Sequence, residues 1–158
     1  MISCFLRNIC LNFFTLIREF NINNKSIQRM AKKVLVLDDD EAVLEVLEAA
    51  LEYANFDVKT AGESNDIFKD IEEFNPDVVL IDYLLRGING GELCHQIKTN
   101  SKTAQLPVIL ISAYPRVLLS LGDYGCNAFM AKPFDLSDLV SQINNCITEE
   151  RSDHLQNS

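Results

Sequence analysis

Val34-Leu35-Val36-Leu37-Asp38-Asp39-Asp40 decides the fold. Four consecutive apolar residues, partly β-branched, end abruptly in acids. A half-exposed strand would alternate apolar with polar, so a continuous run reads as a strand covered on both faces. Runs of the same kind recur downstream. Val78-Val79-Leu80-Ile81 ends in Asp82, and Val108-Ile109-Leu110-Ile111 ends in Ser112-Ala113. Ala128-Phe129-Met130 ends, one small residue later, in Lys132-Pro133. Phe56-Asp57-Val58-Lys59-Thr60 alternates like a strand near a sheet edge.

Helical patterns fill the gaps. Glu41–Ala54 carries Val43, Leu44, Leu47, Ala50 and Leu51 on one face. Ser64–Phe74 places Ile67, Phe68, Ile71 and Phe74 at helical spacing and is broken by Asn75-Pro76. Glu92–Thr99 follows the opening Gly90-Gly91, Val117–Leu121 is short, and Leu136–Ile147 is the last. Asp135 and Asp138 suit the N-cap and N3 positions of that last helix. The sum is (βα)5, an α/β fold with a doubly wound parallel five-stranded sheet. Right-handed crossovers place helices on both faces.

The 158 residues suit one domain with about thirty to spare. At 47 % hydrophobic and 23 % charged, the chain is neither disordered nor a disulfide miniprotein. A net charge of −9 argues against direct nucleic-acid binding and favours cations or a basic partner surface. The longest uncharged stretch, Thr103–Pro115, is too short to span a bilayer, so no membrane association is expected. Cys4, Cys10, Cys94, Cys126 and Cys146 show no CxxC spacing and no zinc pattern with histidine; they read as reduced thiols of a cytoplasmic protein.

Residues 1–29 stand apart. Arg7, Arg18, Lys25 and Arg29 oppose only Glu19, whereas the rest of the chain is strongly acidic. Leu6, Ile9, Cys10, Phe13, Phe14, Ile17 and Phe20 follow a helical period, but the basic face is sparse for a membrane-surface helix. The segment is read as an N-terminal extension outside the fold, with residues 30–148 forming the domain and 149–158 a polar tail.

In open parallel sheets, ligands bind at the carboxyl ends of the strands. Asp38-Asp39-Asp40, Asp82, Ser112 and Lys132 all follow strands and so meet at one edge. Singly, Asp40 and Ser112 read as helix caps, Asp82 as turn chemistry and Lys132 as a solvated lysine. Four such readings at the ends of four strands are less economical than one pocket. Asp38, Asp39 and Asp82 together carry −3, which needs compensation. A divalent cation and Lys132 supply it. Hard oxygen ligands without imidazole or thiolate select Mg2+. A carboxylate beside Mg2+, with a hydroxyl and an ammonium in reach, suits uptake of a phosphoryl group.

With these pieces, and with Pro76-Asp77, Gly87-Ile88-Asn89-Gly90 and Lys132-Pro133-Phe134, residues 32–147 resemble the CheY-like receiver domain of bacterial two-component response regulators. The resemblance implies a flavodoxin-like strand order of 2-1-3-4-5. It implies that Asp82 is the phosphoacceptor, served by a sensor histidine kinase or phosphotransfer protein. Asp39, Asp82 and the Leu84 backbone carbonyl would bind Mg2+ directly, and Asp38 through water. Ser112 would hydrogen-bond the phosphoryl group and Lys132 would pair with it. Ser112 and Phe129 would form the switch. The output face would be the fourth helix, fifth strand and fifth helix, acting on a protein partner or a phosphorelay. Catalysis would extend only to self-phosphorylation and slow self-dephosphorylation.

Three departures stand out. Arg86 replaces the usual proline four residues past the acceptor, which leaves that loop less rigid. Phe129 lacks the hydroxyl of the more common tyrosine, so a switch there works by packing. The stretch from Ser112 to Lys132 is a residue or two short. Leu84 and Tyr114, each two residues past a site residue, can shield an acyl phosphate from water, predicting a long phosphoryl lifetime.

The eleven residues after Ile147 hold no output module, so a stand-alone receiver is expected. Val117, Leu118, Leu119 and Leu121 exceed what one helix face buries and leave apolar surface for a partner or homodimer. Cys94-His95 point to different helix faces and are read as structural. Two rivals are a receiver-fold adaptor that is never phosphorylated and a haloacid-dehalogenase-type phosphatase with Asp38 as nucleophile. Against the phosphatase, Ala42 stands where Thr or Val is usual, and no cap domain is evident.

Overall fold

Strand β1 spans Lys32–Leu37, β2 Phe56–Ala61, β3 Val78–Asp82, β4 Val108–Ser112 and β5 Ala128–Ala131. They form one sheet in the order β2-β1-β3-β4-β5, and every neighbouring pair is parallel. Helices α1 (Glu41–Tyr53), α2 (Ile67–Phe74), α3 (Gly90–Thr99) and a C-terminal helix (Leu136–Gln156) complete the described fold. In this computed structural model, residues 31–63, 66–114 and 124–156 are described, with side chains as far as residue 149. The N-terminal extension, Cys4, Cys10, Ser64 and the Val117–Leu121 helix lie outside the described residues.

Two cores flank the sheet, and the period of two along each strand assigns residues to them. Val34, Val36, Val78, Leu80, Ile109 and Ile111 face α1 and the C-terminal helix through Leu44, Leu47, Leu51, Leu139 and Ile143. Leu35, Leu37, Val79, Ile81, Val108 and Leu110 face α2 and α3 through Ile67, Ile71, Leu93, Cys94 and Ile97. A strand with both faces buried must be apolar throughout, which is the pattern of the three central runs.

Polar residues set the element ends. The Asp40 carboxylate caps α1, accepting from the Ala42 and Val43 amides. Asp66 does the same for α2, which therefore begins at Ile67 rather than at Ser64. Asn75 closes α2 in the left-handed conformation (φ 52°), and Pro76 follows. The Asp135 carbonyl accepts from the amides of Asp138 and Leu139, as an N-cap residue does. The C-terminal helix continues to Gln156, so the polar tail is helical over residues 149–156; among the described side chains, Ile147 is the last that is buried. Hydrophobic periodicity stops with the core, which is why the pattern alone ends at Ile147.

Cys94 and Cys146 are buried and Cys126 half-buried. Among the described residues, no helix is long and apolar enough to cross a membrane.

Candidate functional site

The ends of β1 and β3 and the residues just past β5 converge on one ammonium. Lys132 Nζ donates to Asp38 Oδ2 at 2.7 Å and to Asp82 Oδ1 at 2.6 Å. The second oxygen of each carboxylate takes a backbone amide. Asp38 Oδ1 accepts from Asp40 N (3.0 Å) and Asp82 Oδ2 from Leu84 N (2.8 Å). Both carboxylates are nearly buried, at 4 % and 9 % exposure, so charge-assisted bonds to every oxygen are what permits their burial.

Lys132 is held in place by β4, since its amide donates to the Ser112 carbonyl (2.8 Å). Burial would push its ammonium down, but hydrogen bonds and charge from Asp38 and Asp82 outweigh that and raise it above the ordinary lysine value. Ser112 is buried, and its hydroxyl accepts the Tyr114 amide at 3.0 Å. A hydroxyl that accepts one bond can still donate another.

Asp39 does not join this cluster. Its Oδ2 lies 3.3 Å from Nε of Arg86. Arg86 sits in the turn of a small antiparallel hairpin in which Leu84 pairs with Asn89 and Leu85 with Ile88. Gly87 completes that turn with a φ of 77°. Reading Arg86 only as a missing proline overlooked this partner. Its charge, in the loop that follows β3, was the available signal.

Two further features escaped the sequence. Gly90 opens α3 directly against β3, and a Cβ there would collide with the backbone carbonyl of Asp82. Tyr83, next to Asp82, is buried on the other side of β3; its hydroxyl meets those of Tyr124 (3.4 Å) and the Asn89 amide (3.3 Å). The bond to Tyr83 raises the Tyr124 phenol above its ordinary value. Gly91 leaves room for the Tyr124 ring.

The remaining site residues lie around the pocket. Leu84 contacts Asp82 through its amide, and its side chain is exposed, as is that of Tyr114. Phe129 is half-buried and packs against the α2–α3 core. Among the described residues, no three His, Cys, Asp or Glu side chains form a ready-made metal cage. The three carboxylates are instead held by Lys132 and Arg86. Their chemistry nonetheless fits a hard divalent cation: oxygen donors only, already collecting cationic groups.

A doubly wound sheet with carboxylates and a lysine at its carboxyl edge defines a class of signalling domain, and the comparisons identify it. The family model of the response regulator receiver domain matches residues 34–144. The chain belongs to that family. A putative response regulator from Chloroflexus aurantiacus J-10-fl is 29 % identical, with a TM-score of 0.69 over 75 % of this chain and 98 % of its own. A CheY-like receiver domain protein from Methanospirillum hungatei JF-1 is 25 % identical (TM-score 0.68, 78 % and 98 % covered). The response regulator TrrA from Thermotoga maritima, solved in complex with Mg(2+)-BeF, is 25 % identical (TM-score 0.66, 73 % and 98 % covered).

Proposed function

We propose that this chain is a phosphorylation-dependent switch that accepts a phosphoryl group onto Asp82 from a sensor histidine kinase or phosphotransfer protein. The carrying observation is the ammonium of Lys132 bridging Asp38 and Asp82 at 2.7 and 2.6 Å. It sets a buried aspartate at a strand end next to a fixed cation, the surroundings a carboxylate nucleophile needs.

Transfer breaks the phosphorus–nitrogen bond of a phosphohistidine and forms a phosphorus–oxygen bond to a carboxylate oxygen of Asp82; the bonding pair leaves with the imidazole. Lys132 balances the added negative charge, and the Ser112 hydroxyl donates to a phosphoryl oxygen. Asp38, Asp39, Asp82 and the Leu84 carbonyl would hold Mg2+, which when bound neutralises phosphoryl oxygens. Phosphorylation would then favour one of two packings of Ser112 and Phe129, read by a protein partner on the face that includes β5 and the C-terminal helix. The setting is read as cytoplasmic, since the cysteines of the sequence show neither CxxC spacing nor a zinc pattern with histidine. Residues 30–148 are taken as the receiver unit, with 1–29 as an extension of it.

The test is intact mass after incubation with acetyl phosphate and Mg2+. Wild type should gain one labile phosphoryl group, absent from Asp82→Asn and from samples without Mg2+. No adduct on wild type would leave an adaptor. Donor turnover that survives Asp82→Asn but not Asp38→Asn would instead mark an Asp38-centred phosphatase.

A further inference from the structure

Arg86 and Asp39 form an ion pair on the rim of the pocket, and a metal would need the same carboxylate. We infer that Arg86 is a built-in competitor for the divalent cation, setting its affinity by occupying Asp39. This rests on the reading of Asp39 as a metal ligand.

Charge and geometry carry it. Lys132 already contacts Asp38 and Asp82, which leaves Asp39 as the carboxylate of the three whose ion-pair partner is exposed and movable. The Arg86 side chain is 83 % exposed, and its partner Asp39 is 28 % exposed. A guanidinium on a flexible stem in an exposed turn can leave at small cost, so it competes without blocking. With Lys132 and Arg86 in place the three carboxylates retain one net negative charge. Adding a divalent ion while Arg86 stayed would leave the pocket net positive, whereas its departure from Asp39 brings the balance to zero. The hairpin makes this possible, because its tight turn at Arg86-Gly87 points the side chain back toward the end of β1. A proline at residue 86 would carry no such charge.

The experiment is Mg2+ titration by calorimetry on the full chain at low ionic strength, comparing wild type with Arg86→Ala, Arg86→Gln, Asp39→Asn and Lys69→Ala. Lys69 is exposed beside Glu73 (3.8 Å) on α2, and its loss changes net charge by the same amount as loss of Arg86. Both Arg86 variants should bind Mg2+ about two- to five-fold more tightly than wild type, the scale of an exposed pair. The gain should shrink near 1 M salt, where screening is short-ranged. Lys69→Ala should match wild type and Asp39→Asn should bind far more weakly. Arg86 variants no tighter than wild type, or matched by Lys69→Ala, would overturn the inference while a weakened Asp39→Asn kept the metal reading intact. An unaffected Asp39→Asn, or no binding by any variant, would remove the metal reading and the inference together.

Discussion

Gly90 is the position where a single methyl group should most disturb Asp82. Its amide donates to the Tyr83 carbonyl at 2.9 Å, which draws the start of α3 onto the end of β3. A Cβ there would collide with the Asp82 carbonyl and stand 3.0 Å from Cγ2 of Ile81, which is fully buried. Neither obstacle is the loose end of a flexible chain. The carbonyl belongs to a strand paired on both sides, with β1 and with β4. Gly90→Ala must therefore push α3 away or bend β3. Overpacking of this kind costs about 1–3 kcal/mol. Loss of glycine's unfolded-state freedom returns about 0.4–1 kcal/mol, so the net effect is destabilising. Two other glycines calibrate it. Gly62 has only the Asp38 carbonyl oxygen nearby, at 3.9 Å, so Gly62→Ala should be neutral or slightly stabilising. Gly87 has open space but a φ of 77°, so Gly87→Ala should cost ~1–2 kcal/mol from backbone strain alone. Urea denaturation of the three variants reads the order, with unchanged m-values marking a pure stability change. Gly90→Ala should also slow phosphorylation by acetyl phosphate, because the displaced atom belongs to Asp82. A Gly90→Ala protein as stable as Gly62→Ala would refute the reasoning.

Two further outcomes follow from the pocket. Tyr114→Ala should shorten the phosphoryl lifetime by about two- to ten-fold, equivalent to roughly 0.4–1.4 kcal/mol of barrier, by opening the pocket mouth to water; decay followed by phosphate-affinity gels with an unchanged rate would rule out shielding by this side chain. Lys132 has its value raised in the fold, so its contribution to stability is complete below the unfolded-state value of about 10.4 and fades as pH rises through the higher folded value. The difference in melting temperature between wild type and Lys132→Met should therefore stay constant from about pH 7 to pH 9 and shrink above about pH 10.5.

Most of the sheet was legible because buried parallel strands leave a loud signal. Val34–Leu37, Val78–Ile81 and Val108–Ile111 are too apolar and too short to be anything but central strands, and each proved fully paired. The order of the strands came from resemblance rather than from those runs, which look alike in any order. Boundaries failed where polar chemistry sets them. The Asp66 cap starts α2 at Ile67, later than the pattern from Ser64, and no apolar periodicity marks the helical course of residues 149–156. Within the site, Lys132 with Asp38 and Asp82 was foreseeable from strand ends. The Arg86–Asp39 pair was not, because a hairpin turn brings it about and no periodicity encodes the direction of a turn.

One signal for the site was available and explains its division. Along β1, Val34 and Val36 share one core, and the same parity carries on to Asp38. Along β3, Val78 and Leu80 share that core, and the next residue in step is Asp82. Ala128 and Met130 of β5 pack there too, and two residues on comes Lys132. The three groups that meet in the pocket are thus the outward continuations of one and the same sheet face: the parallel register sets Asp38 level with Asp82, and Lys132, two residues beyond the matching Met130, reaches both with its ammonium. Asp39 continues the opposite parity, that of Leu35 and Leu37, and so falls outside the Lys132 cluster and within reach of Arg86. The same alternation that builds two hydrophobic cores therefore separates a fixed ion cluster from an exchangeable one. An alanine inserted between Leu37 and Asp38 would carry Asp38 into the place of Asp39 and leave the Lys132 cluster without its carboxylate from the end of β1.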